Sequence, residues 1–204
     1  VVYSGVKEFF APINEIDKAN VRAKFASGKE YFVYVGSVNP RKNVANILWA
    51  FDLFKTQSGS DIKLVIAGAK GWKTSEIFDV WNQMKFKTEV VFTGRLQEAE
   101  LVQVLAAAQA SLYPSLFEGF GVPPLEAMAC GVPVITSNVS SLPEISGDAA
   151  LYVSPQNVPD IAAKITALAT NSHLRASLIQ KGFAHYKQYT WDRTAHLLWQ
   201  SCLK

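Results

Sequence analysis

The clearest sign of the fold is the run Tyr31-Phe-Val-Tyr-Val-Gly36, which is aromatic and β-branched, carries no charge and ends in glycine. Such a run is typical of a strand that is buried on both faces of a parallel sheet. The apolar residues after Asn43 then recur at helical spacing, which predicts a helix capped by that asparagine. The same order of strand and helix recurs along the chain. The predicted strands are 31–36, 62–67, 90–93, 110–113, 134–136 and 150–153, and the predicted helices include 75–84, 98–108, one from Pro123 to Gly131, and a helical region after Asn157 with breaks near Asn171 and Thr190.

Strands that alternate with helices form βαβ units. We therefore predict an α/β, Rossmann-like fold with three layers and a parallel sheet of about six strands. Ligands of such folds bind beyond the carboxyl ends of the strands, where the connections diverge. The loops after Val35, Ala67, Thr93 and Tyr113 are therefore the places to look for function.

Composition excludes several classes of protein. Of the 204 residues, 49% are hydrophobic and 18% are charged, which is typical of a packed domain. The net charge of +3 is too small to indicate a nucleic-acid partner. The two cysteines have no metal-ligand spacing and are predicted to be free thiols, and no aspartate pair suggests a metal site, so we expect neither metal nor cofactor. We see no membrane span and no signal peptide, and predict a cytoplasmic protein.

The loop after the first predicted strand carries two adjacent cations. Gly36 would let a ligand approach the backbone, and Arg41 and Lys42 are predicted to lie at a helix N-terminus. Cations are disfavoured there unless an anion is bound, so the pair suggests a phosphate site. The alternative is a solvated turn with two chance charges.

The loop after the fourth predicted strand combines glycines with carboxylates. Gly119 and Gly121 free two backbone N–H groups at the mouth of a helix, which favours an anion. Glu118 in the loop and Glu126 in the first turn of that helix are expected to face one crevice and to accept hydrogen bonds from sugar hydroxyls. Alternatively, Glu126 complements the helix dipole and Glu118 is a solvated acid. Arg95 either lines the same crevice or is a surface arginine.

The residues from Tyr31 to Leu151 resemble glycosyltransferase family 4, whose members are retaining enzymes with the two-domain GT-B fold. The resemblance rests on 34–43 (Tyr-Val-Gly-Ser-Val-Asn-Pro-Arg-Lys-Asn), 64–68, 91–96, 142–151, and above all on 118–135, where two glutamates lie eight positions apart. It implies one half of a GT-B enzyme, the C-terminal domain that binds the nucleotide sugar.

The resemblance also implies a role for each site residue. Glu118 would bind hydroxyls of the donor sugar, and Glu126 those of the ribose. Arg41 and Lys42 would neutralise the diphosphate, and the region from Phe92 to Arg95 would border the base. Family members commonly have an arginine directly after the first-strand glycine, where this chain has a serine. The further residues expected to bind substrate are Gly36, Ser37, Arg95, Gly119, Phe120, Gly121 and Val122.

By the same resemblance, residues 1–20 would be an interdomain linker and residues 21–190 the nucleotide-sugar-binding domain. Residues 191–204 would form a helix that crosses back to an N-terminal acceptor domain, without which the fragment is expected to be inactive. The enzyme would be a hexosyltransferase of glycan or polysaccharide biosynthesis, acting on a glycan or lipid-linked acceptor at the inner face of the membrane. The string Asn39 to Asn43 resembles bacterial mannosyltransferases and favours guanosine diphosphate mannose as the donor.

Two other functions stay open on the sequence alone, and a third is disfavoured. A GT-B epimerase or phosphorylase would share the architecture, and a non-catalytic module could bind a nucleotide without chemistry. A nicotinamide-dependent dehydrogenase is disfavoured, because the second predicted strand ends in Ala67-Gly-Ala-Lys70 without the acid that would bind a ribose.

Overall fold

The computed structural model describes residues 2–203 and confirms the predicted fold class. In this part of the chain, six parallel strands form one sheet in the order β3-β2-β1-β4-β5-β6. The chain therefore adds β2 and β3 on one side of β1 and then returns to add β4, β5 and β6 on the other side. The loops after β1 and β4 leave in opposite directions and border one crevice, the topological switch point of the sheet. The strands are Tyr31–Val35 (β1), Lys63–Ala67 (β2), Val90–Gly94 (β3), Ala110–Tyr113 (β4), Val134–Ser137 (β5) and Ala150–Val153 (β6).

Helices cover both faces of the sheet, as the buried central strand requires. All five residues of β1 are buried, with Phe32 and Tyr34 in one core and Tyr31, Val33 and Val35 in the other. This alternation follows from the two-residue period of a strand. Between residues 2 and 203 the helices are Glu15–Ala26 (α1), Val44–Ser58 (α2), Ser75–Gln83 (α3), Glu98–Ala106 (α4), Val122–Ala129 (α5), Leu142–Ser146 (α6), Val158–Thr170 (α7), Ser172–Tyr186 (α8) and Trp191–Cys202 (α9).

Helix α2 begins at Val44, directly after Asn43, as predicted. The details before it differ, because Arg41 and Lys42 lie in a separate 3-10 turn, Pro40–Lys42. The break lies at Asn43, whose backbone is left-handed with a φ of 61°. Its side chain does not cap α2 but donates to the carbonyl oxygens of two distant loops, those of Pro114 and Pro155. The two cations are therefore held in a tight turn at the carboxyl end of the central strand β1.

The N-terminal part of the chain contains a helix that the sequence patterns did not show, whereas the last helix begins at Trp191 as predicted. Helix α1 begins at Glu15, so the predicted division at residue 20 falls inside a helix, and the division itself stays a prediction. Helix α9 has no buried residue, and its Trp191, Leu198 and Trp199 are exposed. Among the residues described, no helix combines the length and the apolar character needed to cross a membrane.

Candidate active site

The loops after β1 and β4 are joined by direct hydrogen bonds at the switch point. The Leu116 N–H donates to the Arg41 carbonyl at 2.9 Å, and the Asn43 side chain donates to the Pro114 carbonyl at 2.9 Å. The Arg41 guanidinium also donates to the carbonyl of Phe117 at 2.6 Å. The turn that carries the cations is therefore fixed against the loop that carries Glu118.

Glu118 lies between both cations. Lys42 Nζ donates to its Oε1 at 2.6 Å and Arg41 Nη1 to its Oε2 at 2.9 Å. The Tyr113 hydroxyl at the end of β4 also donates to Oε1 at 2.9 Å. Glu118 is only 7% exposed and Lys42 only 9%, which is unusual for charged residues and is tolerated because they are paired.

The surroundings of Glu118 favour its charged form. Burial by itself raises the pKa of this carboxyl, but the hydrogen bonds from Lys42 and Arg41 outweigh burial and hold the pKa below its ordinary value. Burial, followed by the nearby Glu118 charge, raises the pKa of the Tyr113 hydroxyl, which therefore stays a neutral donor. The cluster holds two cations, one anion and one neutral phenol.

The cluster keeps capacity for a further anion. A lysine ammonium has three donors, and Lys42 uses two of them on Glu118 and Tyr113. Arg41 has five donors, and its side chain is 43% exposed. A ligand phosphate could therefore bind the remaining donors without breaking either ion pair.

Backbone N–H groups beside the cluster point to the same kind of ligand. In the described part of the chain, the N–H groups of Gly119, Phe120, Gly121 and Val122 donate to no protein acceptor. They lead into the N-terminus of α5, where the helix dipole favours negative charge. The carbonyl oxygens of Glu118 and Phe120 instead accept from the Ser141 hydroxyl, at 3.0 and 2.7 Å. Gly121 has a φ of 108°, which a side chain would disfavour.

A cavity of about 460 Å³ lies between β1, β2 and the start of α4. Both Gly36 and Arg95, predicted to bind substrate, line it together with Gly68 and Glu98. A Cβ atom at position 68 would lie 1.8 Å from the carbonyl oxygen of Gly36, so the two strand ends approach as closely as glycine allows. Cavities of this size are typical of small-ligand sites.

The side chain of Ser37 is bound within its own loop. Its hydroxyl accepts from the Asn39 amide at 2.9 Å, and its carbonyl accepts from the buried Tyr34 hydroxyl at 2.9 Å. The position that is commonly arginine in the resembled family therefore helps to shape the cation turn, and its role in substrate binding stays a prediction.

Glu126 has different surroundings from Glu118. It is the fifth residue of α5, whose first turn has no acid, so the prediction that it lies in that turn is wrong and the helix-dipole explanation loses its basis. Burial raises its pKa to about 7, while Lys7 lowers the pKa and Glu98 raises it. Within residues 2–203 its carboxylate makes no hydrogen bond and shares no hydrogen-bond partner with Glu118. That the two acids bind one ligand stays a prediction.

The family model described as "Glycosyl transferases group 1" matches residues 15–185. The chain belongs to this family. Among group 1 relatives, O-antigen chain mannosyltransferase B of Escherichia coli is 36% identical over 162 residues, which are 79% of this chain and 42% of that protein. The chain thus spans less than half the length of this curated relative.

Solved structures share the fold of this group 1 domain. The structure of Anabaena Alr3699/HepE in complex with UDP and glucose superposes with a TM-score of 0.86 at 17% identity, over 100% of this chain and 57% of that chain. The C-terminal domain of the group 1 protein LpcC from Francisella tularensis gives a TM-score of 0.79 at 24% identity, over 90% of this chain and 97% of that chain. At these identities the likeness shows the fold alone.

Sequence reasoning missed several residues of this group 1 site. Tyr113 ends a strand at the switch point and could have been found from that position. Ser140 and Ser141 hold the backbone of residues 118–121, which we call the glycine loop. They lie 20 or more residues away from it in sequence, and no local pattern marks them. His185 is half-buried, and its Nε2 contacts the Ile145 carbonyl at 2.7 Å. Both cysteines are free, and no His, Cys, Asp and Glu group that could hold a metal ion occurs in the described range.

Proposed function

We propose that this chain is the donor-binding, C-terminal domain of a retaining hexosyltransferase. The enzyme would move a hexose from a nucleoside diphosphate sugar to an acceptor hydroxyl. One observation carries the proposal: Arg41 and Lys42 converge beside the free N–H groups of residues 119–122. A group 1 glycosyltransferase needs a positively charged site for the diphosphate of its donor. The two cations and the helix N-terminus provide such a site.

The chemistry of transfer explains why the cations matter. As the bond from the anomeric carbon to the diphosphate breaks, negative charge builds on the leaving group. Donors that are already oriented act on this charge without reorganisation, and the loss of one such donor typically costs about 2.7–4 kcal/mol of transition-state stabilisation. Glu118 orients Arg41 and Lys42 and leaves part of Oε2 free for a sugar hydroxyl.

The base and the ribose would occupy the neighbouring cavity. Gly36 and Gly68 leave open backbone at its floor, and Arg95 borders it. Glu126, half-buried on α5, would accept hydrogen bonds from the ribose hydroxyls. A bound ribose would supply the donors that this carboxylate lacks within the described residues.

We further propose guanosine diphosphate mannose as the donor and a glycan or lipid-linked glycan as the acceptor. The donor is supported by the Asn39–Asn43 string and by the mannosyltransferase relative. The acceptor would bind a second domain, which the greater length of that relative supports. We also propose a cytoplasmic location, at the inner membrane face, where a lipid-linked acceptor would be reached.

Thermal unfolding with a panel of nucleoside diphosphates and their sugars tests donor binding in the 204-residue chain. A ligand at 100 times its Kd stabilises by about 2.7 kcal/mol, which should raise Tm by roughly 5–10 °C. Lys42→Ala should abolish the shift, whereas Lys181→Ala, which removes a surface lysine paired with Asp148, should retain it. A panel with no shift, or an equal shift in Lys42→Ala, would refute the proposed site.

The stereochemistry of the reaction needs the whole enzyme. With guanosine diphosphate mannose and an acceptor glycan, the anomeric configuration of the product can be read by NMR. Retention supports the proposal, whereas inversion contradicts it. Release of an epimerised sugar or of a sugar phosphate would instead indicate one of the alternative GT-B activities.

A further inference from the structure

The glycine loop is anchored by one aromatic side chain. Phe120 lies between Gly119 and Gly121, and its ring packs with those of Tyr3 and Tyr189. The three centroid distances are 6.0 Å for Tyr3 to Phe120, 5.8 Å for Tyr3 to Tyr189 and 6.2 Å for Phe120 to Tyr189. All three rings are half-buried, and we call them the aromatic trio.

The two tyrosines belong to chain segments that are fastened to each other. The Val6 N–H donates to the Tyr189 carbonyl at 2.9 Å, and the Thr194 hydroxyl donates to the Tyr3 carbonyl at 2.6 Å. A Cβ atom on Gly5 would lie 2.4 Å from the backbone nitrogen of Trp191, so the contact is close along its length. The N-terminal segment and the junction of α8 with α9 therefore form one unit.

The hydrogen bonds that hold this loop end at Glu118 and at the carbonyl oxygens of Phe117 and Phe120. Gly119 and Gly121 have no side chain to add a contact, and glycine is conformationally permissive. The Ser141 hydroxyl holds carbonyl oxygens of the loop but none of the N–H groups of residues 119–122. The Phe120 ring is therefore the side-chain contact made by residues 119–121.

We infer that Phe120 is a positioning residue, through which the contact with Tyr3 and Tyr189 orients the loop amides for the diphosphate. The inference rests on the proposed function and deepens it. Tyr3 lies within residues 1–20 and Tyr189 just before residues 191–204, the two segments that the family resemblance connects to an acceptor domain.

Variants of the tyrosines test this, because neither tyrosine belongs to the proposed donor site. The nucleoside diphosphate that shifts Tm most and its parent nucleoside are titrated by calorimetry. Tyr3→Ala and Tyr189→Ala should each weaken the diphosphate by about two- to tenfold, the factor that corresponds to one aromatic contact. Binding of the nucleoside should stay unchanged. Tyr3→Phe keeps the ring and should bind like the wild type, as should Trp199→Ala, which removes an exposed aromatic residue of α9.

A double variant separates positioning from general loosening. If Tyr3 acts through Phe120, adding Tyr3→Ala to Phe120→Ala should weaken diphosphate binding no further. Equal loss of nucleoside and diphosphate affinity, or fully additive losses, would overturn the inference. So would unchanged affinity in both tyrosine variants.

A ligand-free measurement keeps this inference distinct from the proposed function. Backbone ¹⁵N order parameters of Gly119 and Gly121 should fall in Tyr3→Ala and Tyr189→Ala, from about 0.85 toward 0.6, but not in Trp199→Ala. If the wild type binds no nucleotide while these values fall, the proposed function fails and the positioning of the loop stands. Unchanged order parameters would overturn the positioning role whatever the chain binds.

Discussion

Replacing Glu118 by glutamine removes the one negative charge between Arg41 and Lys42 and leaves the shape of the side chain nearly unchanged. Glutamine has one acceptor oxygen and one amide that can only donate, so it cannot accept from both cations. One of the two cations would then lie beside the glutamine NH₂ group, which is a donor and cannot pair with it. We expect Glu118→Gln to destabilise the fold and, at the same time, to strengthen the binding of a free anion.

The magnitude follows from the exposure of each pair. Lys42 and Glu118 have side chains 11% and 8% exposed, and breaking a buried pair by removing one partner costs about 3–5 kcal/mol. We take the lower end, about 3 kcal/mol, because glutamine keeps one hydrogen bond. Arg41 is 43% exposed, so its pair adds less than about 1 kcal/mol. The sum of about 3–4 kcal/mol lowers Tm by about 6–16 °C in a chain of this size.

Thermal unfolding and pyrophosphate titration measure both effects. The matched control is Glu15→Gln, which breaks an exposed pair with Lys18 and should leave Tm nearly unchanged. Pyrophosphate should bind the Glu118→Gln variant at least about tenfold more tightly than the wild type, since the freed cation makes a charged hydrogen bond. A Tm loss equal to that of the control, together with unchanged pyrophosphate affinity, would refute the reasoning.

The pH dependence of the Glu118 contribution has a defined sign. Its pKa is lowered in the folded protein, so its contribution is present above the ordinary pKa of 4.5 and is lost as pH falls through the lower, folded value. The Tm difference between the wild type and Glu118→Gln should therefore be full near neutral pH and disappear in strong acid. A difference that persists at low pH would contradict the ion-pair explanation.

Three further predictions follow from the described residues. The pKa of Glu126 is raised from 4.5 to about 7, so the folded state binds more protons between these values and stability falls as pH rises through them. Glu126→Gln should therefore raise the free energy of unfolding by up to about 3 kcal/mol at pH 8 and by little at pH 4. Thermal unfolding at both pH values measures the difference. Gly68→Ala should unfold at a much lower denaturant concentration than the wild type, because its Cβ atom would overlap a carbonyl oxygen. A Cβ atom at position 119 meets nothing within 4 Å, so Gly119→Ala should have the midpoint of the wild type. Equal midpoints for the two variants would contradict the predicted overlap. Thiol titration of the native chain should label Cys202 fast and leave Cys130 unlabelled, because Cys130 is buried and burial raises its pKa to about 12; two fast thiols would show that this is wrong.

The fold was predictable because its signals are local. The β1 run is buried on both faces, and its periodicity is readable without knowing what covers it. Strands β4 and β6 were predicted with the bounds that the structure gives. Helices α1 and α6 were not predicted: α1 has only two buried residues on a polar helix, and α6 has five residues. Such helices depend on tertiary packing more than on their own pattern.

The residues of the site could be predicted from the sequence, but the hydrogen bonds between them could not. Strand ends and glycines indicated Arg41, Lys42 and Glu118, because βαβ topology brings these loops together. The sequence could not show that Glu118 accepts from both cations, since 76 and 77 residues separate them. Nor could it show that Glu126 has different neighbours, because helix register and the packing of α5 decide which side of the loop it faces.

The most direct test of the account is a crystal structure of the 204-residue chain with the nucleoside diphosphate that stabilises it most. The account predicts both phosphates within hydrogen-bond distance of Lys42 Nζ, the Arg41 guanidinium and at least two N–H groups of residues 119–122, with Glu118 still paired to the cations. A diphosphate bound elsewhere on the chain, with those donors free of ligand, would contradict it.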